Sequence, residues 1–162
     1  MSTIAIHRRS IPFFVPILNP LMALFVRLGV DLGPKMALIT VRGRRSGRPF
    51  TTPITLFEAN GRRYLFGTFG NTSWVRNARV AGELTLTRGR RHENVAVVPL
   101  SHDDAAAVLR DCLTRYARNP MMAPMLRTFY GIGGDIAAVD FGEIALQHPG
   151  FAVVGKESDD ER

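Results

Sequence analysis

Arg42, Arg44, Arg45 and Arg48 crowd four guanidinium groups into seven residues, with Gly43, Ser46 and Gly47 among them. Guanidinium forks match the oxygens of phosphate and carboxylate groups. The glycines accept backbone angles that other residues resist, and they leave amide N–H groups open to a ligand. The turn is a candidate anion cradle. The competing reading is a solvated basic hairpin loop.

A second segment, GTFGNTSWVRNARVAGELTL (67–86), sets Gly67 and Gly70 ahead of Asn71, Thr72 and Ser73. Those three fall where a helix should start, with free N–H groups and the positive end of its dipole. Trp74, the only tryptophan, lies in the first turn. A flat apolar ring beside a helix N-terminus suits an aromatic ligand carrying carbonyl or phosphate oxygens. The alternative is that Trp74 and Val75 anchor the helix on a sheet, while Asn77 and Arg79 face water.

Little other chemistry is encoded. His7, His92, His102 and His148 are far apart and show no metal-ligand spacing. No Ser-His-Asp or paired-carboxylate arrangement stands out, and Glu58 and Glu93 read as solvated strand residues. Cys112 is the single cysteine, so no intramolecular disulfide can form. It falls on the apolar face of an expected helix, where a buried structural thiol is the simpler reading.

The elements that must position these residues follow from periodicity. Strands are expected near 36–42, 49–57 and 62–68, the last two joined by the hairpin signal Asn60-Gly61. A helix follows from about Thr72 to Ala81, stopped by Gly82. ELTLTR (83–88) and HENVAVVPL (92–100) are strands joined at Gly89-Arg90. Ser101 caps a helix whose apolar stripe is Ala105, Val108, Leu109, Cys112, Leu113 and Tyr116, and Asn119-Pro120 ends it. Residues 121–147 are ambiguous: a short helix around 121–130, then a glycine-rich turn at 131–134. FAVVG (151–155) is a last strand. Strands linked by tight hairpins make a mainly β, α+β fold with an antiparallel sheet, and a small sheet closes into a barrel to remove its edges. The order is not βαβ, which argues against a Rossmann fold.

The chain has 162 residues, 46% hydrophobic, enough for one domain (1–162) with a real core. Its formal charge of +7 calls for an anionic partner. Nucleic acid is a poor candidate, because no recognition helix or aromatic-basic sheet face is present. The acidic end, residues 156–162, reads as a solvated tail. The N-terminal arm (1–30) imitates a signal peptide, but prolines at 12, 16 and 20 interrupt it. Its apolar stretches are too short to span a bilayer. A cytoplasmic location follows. Asn19-Pro20 opens a short helix that Gly29 closes, with Leu21, Leu24, Phe25 and Leu28 on one face. That face packs on the domain or on a dimer partner; the alternative is peripheral membrane contact helped by Arg8, Arg9 and Arg27.

Together, GRRSG followed by a TTP-type strand, and Gly-x-x-Gly running into SWVRN, resemble the deazaflavin (F420)-dependent nitroreductase and quinone reductase family of actinobacteria. The likeness includes the Asn-Pro helix and the Leu28, Gly29, Gly33, Pro34 segment, and covers residues 19 to 100 best. It implies a split β-barrel of the flavin-binding, pyridoxamine-phosphate-oxidase-like type. It implies the cofactor F420, with FMN as the alternative. By position, Arg42, Arg44, Arg45, Ser46, Gly47 and Arg48 would hold the phosphate and acidic tail. Thr52, Pro53 and Ile54 would line the deazaflavin, and Thr68, Phe69 and Gly70 would approach it. Asn71, Ser73, Trp74 and Asn77 would complete the site. Tyr130 is the analogue of a proton-donating tyrosine. The Met-rich stretch around it (Met121, Met122, Met125, Leu126, Phe129) departs from a tyrosine-rich pattern, and either lines a lipophilic substrate pocket or is core. The implied activity is hydride transfer from F420H2 to a quinone, enone, nitro compound or other activated double bond. The rival of another class is a non-catalytic carrier of F420 or a fatty-acid-like ligand.

Overall fold

The computed structural model of the protein describes residues 20–24, 27–28 and 35–155. Among the described residues there are six strands: β1 (Met36–Arg42), β2 (Pro49–Ala59), β3 (Arg62–Phe66), β4 (Glu83–Arg88), β5 (Arg91–Pro99) and β6 (Gly150–Gly155). They close into a barrel in the order β1-β2-β3-β6-β5-β4, and every neighbouring pair is antiparallel. The expected α+β barrel is therefore what the chain builds. Among the described residues, and besides the helical residues 20–24, the α-helices are α1 (Ser73–Ala81), α2 (His102–Ala117), α3 (Ala123–Tyr130) and α4 (Phe141–Gln147).

Strand alternation sorts the apolar residues into two cores. Ala37, Ile39, Val41, Ile54, Leu56, Leu65, Leu84, Leu86, Val95, Val97 and Phe151 fill the barrel. Trp74, Val75 and Ala78 of α1 join them, so this helix plugs the barrel. The opposite face of β2 and β3 presents Phe57, Ala59, Tyr64 and Phe66 to a second core. Leu109, Cys112 and Leu113 of α2, Leu126 and Tyr130 of α3, and Phe141, Ile144 and Ala145 of α4 cover it.

Several boundaries differ from expectation for identifiable reasons. Asn60 and Gly61 both take positive φ, as a two-residue hairpin requires, and this extends β2 to Ala59. The third strand stops at Phe66 rather than 68, because Gly67 N–H leaves the ladder for Pro149 O at 2.8 Å. The helix α4 was not expected. Its signal was Asp140, whose carboxylate accepts the Glu143 N–H at 3.2 Å, a cap obscured by Gly142 and the shortness of the helix. Glu58 and Glu93 are not simply solvated: Lys35 pairs with Glu58 at 2.6 Å and Arg63 with Glu93 at 2.7 Å. Residues 20–24 are helical, and Leu21, Leu24 and Leu28 are 47%, 49% and 67% exposed. The expectations for Asn19, Phe25, Gly29, Gly33, Pro34, the basic arm and the tail 156–162 lie outside the described residues.

Candidate cofactor site at one end of the barrel

The barrel has two distinguishable ends. Strands β1, β3 and β5 finish, and β2, β4 and β6 start, at the same end. The 43–48 turn, the 67–72 segment, α1 and the His148-Pro149 pair all lie there. The two chemically suggestive segments of the sequence are therefore brought together.

The 43–48 turn is internally tied. Gly43 N–H donates to Arg48 O at 2.8 Å, Gly47 N–H to Gly43 O at 2.9 Å, and Arg48 N–H to Ser46 Oγ at 3.2 Å. Gly47 sits at φ +69, a left-handed conformation that costs glycine little. A Cβ at Gly43 would press on Ser46 Oγ at 2.9 Å. Arg45, Ser46, Gly47 and Arg48 are exposed, as is Arg42.

Asn77 fixes this turn to α1. It is buried, and its Oδ1 accepts both the Arg44 N–H at 3.2 Å and the Arg44 Nη1 at 2.8 Å. Arg44 is thereby held still. Burial pulls its pKa below the ordinary value, and the neighbouring cations Arg76 and Arg45 pull it further. Arg76 and Arg45 thus both repel Arg44, and an anion beside it would relieve that repulsion. Arg76, exposed on α1, was missed by sequence reasoning although it lies inside the SWVRN motif. Only the packing of α1 reveals which turn it faces.

The expected ring-binding segments flank a parting of the barrel. Strands β2 and β3 pair only from Leu56↔Leu65 to Ala59↔Arg62. Beyond Leu56 the β2 residues 49–55 pair with β1 alone. Leu56 N–H points to Lys35 on the β1 side, so by alternation Thr51, Pro53 and Thr55 turn their backbone groups toward the parting. Pro53 has no N–H to leave unpaired, which suits a free strand edge. Thr52 and Ile54 alternate with it, half-buried and buried. On the other side lies the 67–70 turn, closed by Gly70 N–H on Gly67 O at 2.9 Å, with Gly70 at φ +81. A Cβ at Gly67 would collide with the Gly70 carbonyl. From Pro53 to Arg48 the strand runs about 17 Å at ~3.4 Å per residue. A ligand using both places is long, with a ring at one end and anionic groups at the other.

The remaining expected residues divide. Asn71 and Ser73 are exposed at the start of α1, and Asn71 Oδ1 lies 3.5 Å from Arg79 Nη1. Thr72 caps the helix without a side-chain bond, and its Oγ1 is a buried hydroxyl with no hydrogen-bond partner among the described residues. Trp74 is 8% exposed and packs against Phe151 at 5.8 Å between ring centroids, so the structure places its ring in the barrel core. Phe69 meets Phe129 edge-on at 5.6 Å, linking the 67–70 turn to α3. Tyr130 is 6% exposed, and burial pushes its phenol pKa well up, while the facing Thr68 hydroxyl pulls the other way.

The sequence profile of the family described as F420H(2)-dependent quinone reductase matches residues 23–121. The chain belongs to the F420H2-dependent quinone reductase family. The matched span holds the 43–48 turn, the β2 edge, the 67–70 turn and α1, the segments that make up the candidate site. No curated protein matches the chain. Solved structures are similar at the level of fold. One is a protein of unknown function from Agrobacterium tumefaciens, 12% identical over 93% of this chain and 59% of that one, TM-score 0.54. Another is a putative 5-nitroimidazole antibiotic resistance protein from Bacteroides thetaiotaomicron, 10% identical over 78% of this chain and 75% of that one, TM-score 0.50. An F420-H2 dependent reductase (FDR-A) aligns at 17% identity over 73% of this chain and 92% of that one, TM-score 0.47. Family membership makes the chain an F420-dependent oxidoreductase. The cation cluster, the glycine-built turns and the elongated parting fit a cofactor with a flat ring and an acidic tail.

Proposed function

We propose that the protein is an F420H2-dependent reductase that delivers hydride to a lipophilic acceptor: a quinone, an enone, a nitro compound or another activated double bond. The observation that carries this reading is the convergence of Arg44, Arg45 and Arg76 on a turn that Asn77 fixes beside the β2 edge. Bound F420H2 would supply the hydride. The chain's own residues would then bind, orient and shield.

Arg42, Arg44, Arg45 and Arg48, with Ser46 and the Gly47 N–H, would take the phosphate and acidic tail. Thr52, Pro53 and Ile54 would form one wall of the ring site. Thr68, Phe69 and Gly70 would form the other, and Asn71 and Ser73 would close it at the N-terminus of α1. The apolar acceptor would lie over Phe69 and Phe129, near Met125, where adaptable thioether packing tolerates varied shapes. Tyr130 would be the proton source. Its burial keeps the phenol protonated, as a donor must be.

The test is aerobically monitored oxidation of F420H2 by the purified full-length chain with a lipophilic naphthoquinone as acceptor. Oxidation that depends on both protein and quinone supports the reading. Binding of F420 without turnover of a quinone, an enone or a nitro compound would make the protein a carrier and overturn it.

A further inference from the structure

His148 belongs to none of the groups assigned so far. It is 1% exposed, the most enclosed titratable side chain in the described barrel end. Its Nδ1 lies 3.0 Å from Gly67 O. A carbonyl only accepts, so Nδ1 carries the hydrogen and donates it. The same carbonyl accepts Gly70 N–H at 2.9 Å, which closes the 67–70 turn. Both lone pairs of one oxygen are thus used, one by the turn and one by His148. The next residue acts on the other side of Gly67: Pro149 O accepts Gly67 N–H at 2.8 Å. Two consecutive residues from a segment 81 positions away clamp a single glycine.

The clamp is itself held. Pro149 biases His148 toward extended backbone, and His148 sits at φ −128, ψ 83 as it leaves α4. The Tyr130 ring lies 4.9 Å from the imidazole, tilted by 48°. Gly67 has no room for a Cβ, and Gly70 needs positive φ. The turn therefore depends on glycine at both ends, and the Gly67 carbonyl is the point that His148 grips.

We propose that His148 is a positioning residue for the cofactor ring: by donating to Gly67 O it fixes the 67–70 turn against the β2 edge. This rests on the F420 reading above. His148 would act on the ring only through Gly67, so its effect would pass through the geometry of the turn.

The test compares three variants of the full chain. H148N keeps an N–H where Nδ1 stood; H148F keeps a ring against Tyr130 but has no donor; H148L removes both. In the ligand-free protein, amide exchange of Gly70 reports turn closure, with the barrel amide of Val95 as control. Fluorescence titration with F420 reports affinity. Loss of one hydrogen bond is expected to raise Gly70 exchange and the F420 dissociation constant by about tenfold in H148F, with Val95 unchanged. H148N is expected to bring both within about threefold of wild type. H148L serves in place of H148F if the larger ring prevents folding. Wild-type Gly70 exchange in a folded donorless variant overturns the clamp. Faster exchange with unchanged affinity overturns its role toward the cofactor, and impairment of H148N equal to H148F overturns the role of the N–H. If wild-type protein itself fails to bind F420, the proposed function falls while the exchange measurement still decides the clamp.

Discussion

Asn77 shows how one buried side chain can tie two elements of a candidate site together. Its buried oxygen takes both the backbone and the guanidinium of Arg44. Asn77→Ala strands two donors, and we expect it to cost about 1–3 kcal/mol of stability in thermal melts. F420 affinity should fall with it, because Arg44 loses its anchor. The double change Arg45→Ala, Arg48→Ala removes two exposed cations. It should weaken F420 binding at least tenfold with little change in melting temperature; unchanged affinity would remove both from the site. Tyr130→Phe should lower kcat for quinone reduction by about 100-fold or more if the phenol is the proton source, leaving F420 affinity alone. Because burial raises its pKa, no loss of rate with rising pH should trace to this phenol below the alkaline range. The arginine turn and its glycines were legible in sequence because their chemistry is local. Asn77 was named for the site by the resemblance, but its hold on Arg44 was not legible, nor were Arg76 and His148, because each acts across elements far apart in the chain.

The elements were legible where one turn or cap fixed them. Asn60-Gly61 set the hairpin, Ser101 Oγ accepts the Asp104 N–H at 3.2 Å as its capping pattern implied, and Gly82 ends α1 at φ +68. What sequence could not tell was that α1 enters the barrel. Its Trp74 reads equally well as a ligand platform or as an anchor, and only the closure of the strands around it decides where the ring sits. The two left-handed glycines that bracket α1 separate stability from function. Gly82→Ala meets open space but an unfavourable φ, so it should cost about 1 kcal/mol and leave F420 affinity intact. Gly70→Ala meets the same strain, with Gln147 O 3.4 Å from the new Cβ, inside the turn proposed to face the ring. It should weaken F420 binding as well. Equal affinities in the two variants would detach the 67–70 turn from the site.

At the scale of the whole molecule the barrel carries its site at one end and an ion pair toward the other. Arg63 and Glu93 meet bidentately, both bonds 2.7 Å, from strands β3 and β5 that are not neighbours. The hydrogen bond from Arg63 holds the Glu93 carboxyl below its ordinary value of 4.5. That contribution to stability is complete above the ordinary value and is lost as pH falls through the lowered one. His102, which donates to Gly142 O at 2.8 Å between α2 and α4, is shifted upward from 6.5 mainly by that bond. Its contribution is complete below 6.5 and is lost as pH rises through the raised value. Glu93→Gln should therefore flatten the acid side of the stability profile and His102→Ala the neutral-to-alkaline side, read as melting temperature against pH. The net charge of +7 is concentrated in part on the turn that an acidic cofactor would use, so F420 binding should weaken with added salt. The most direct test of the account is titration of the purified chain with F420 and, separately, with FMN, followed by fluorescence or calorimetry. The account requires F420 binding in the micromolar range or tighter, with FMN far weaker. FMN binding alone, or binding of neither, would contradict it.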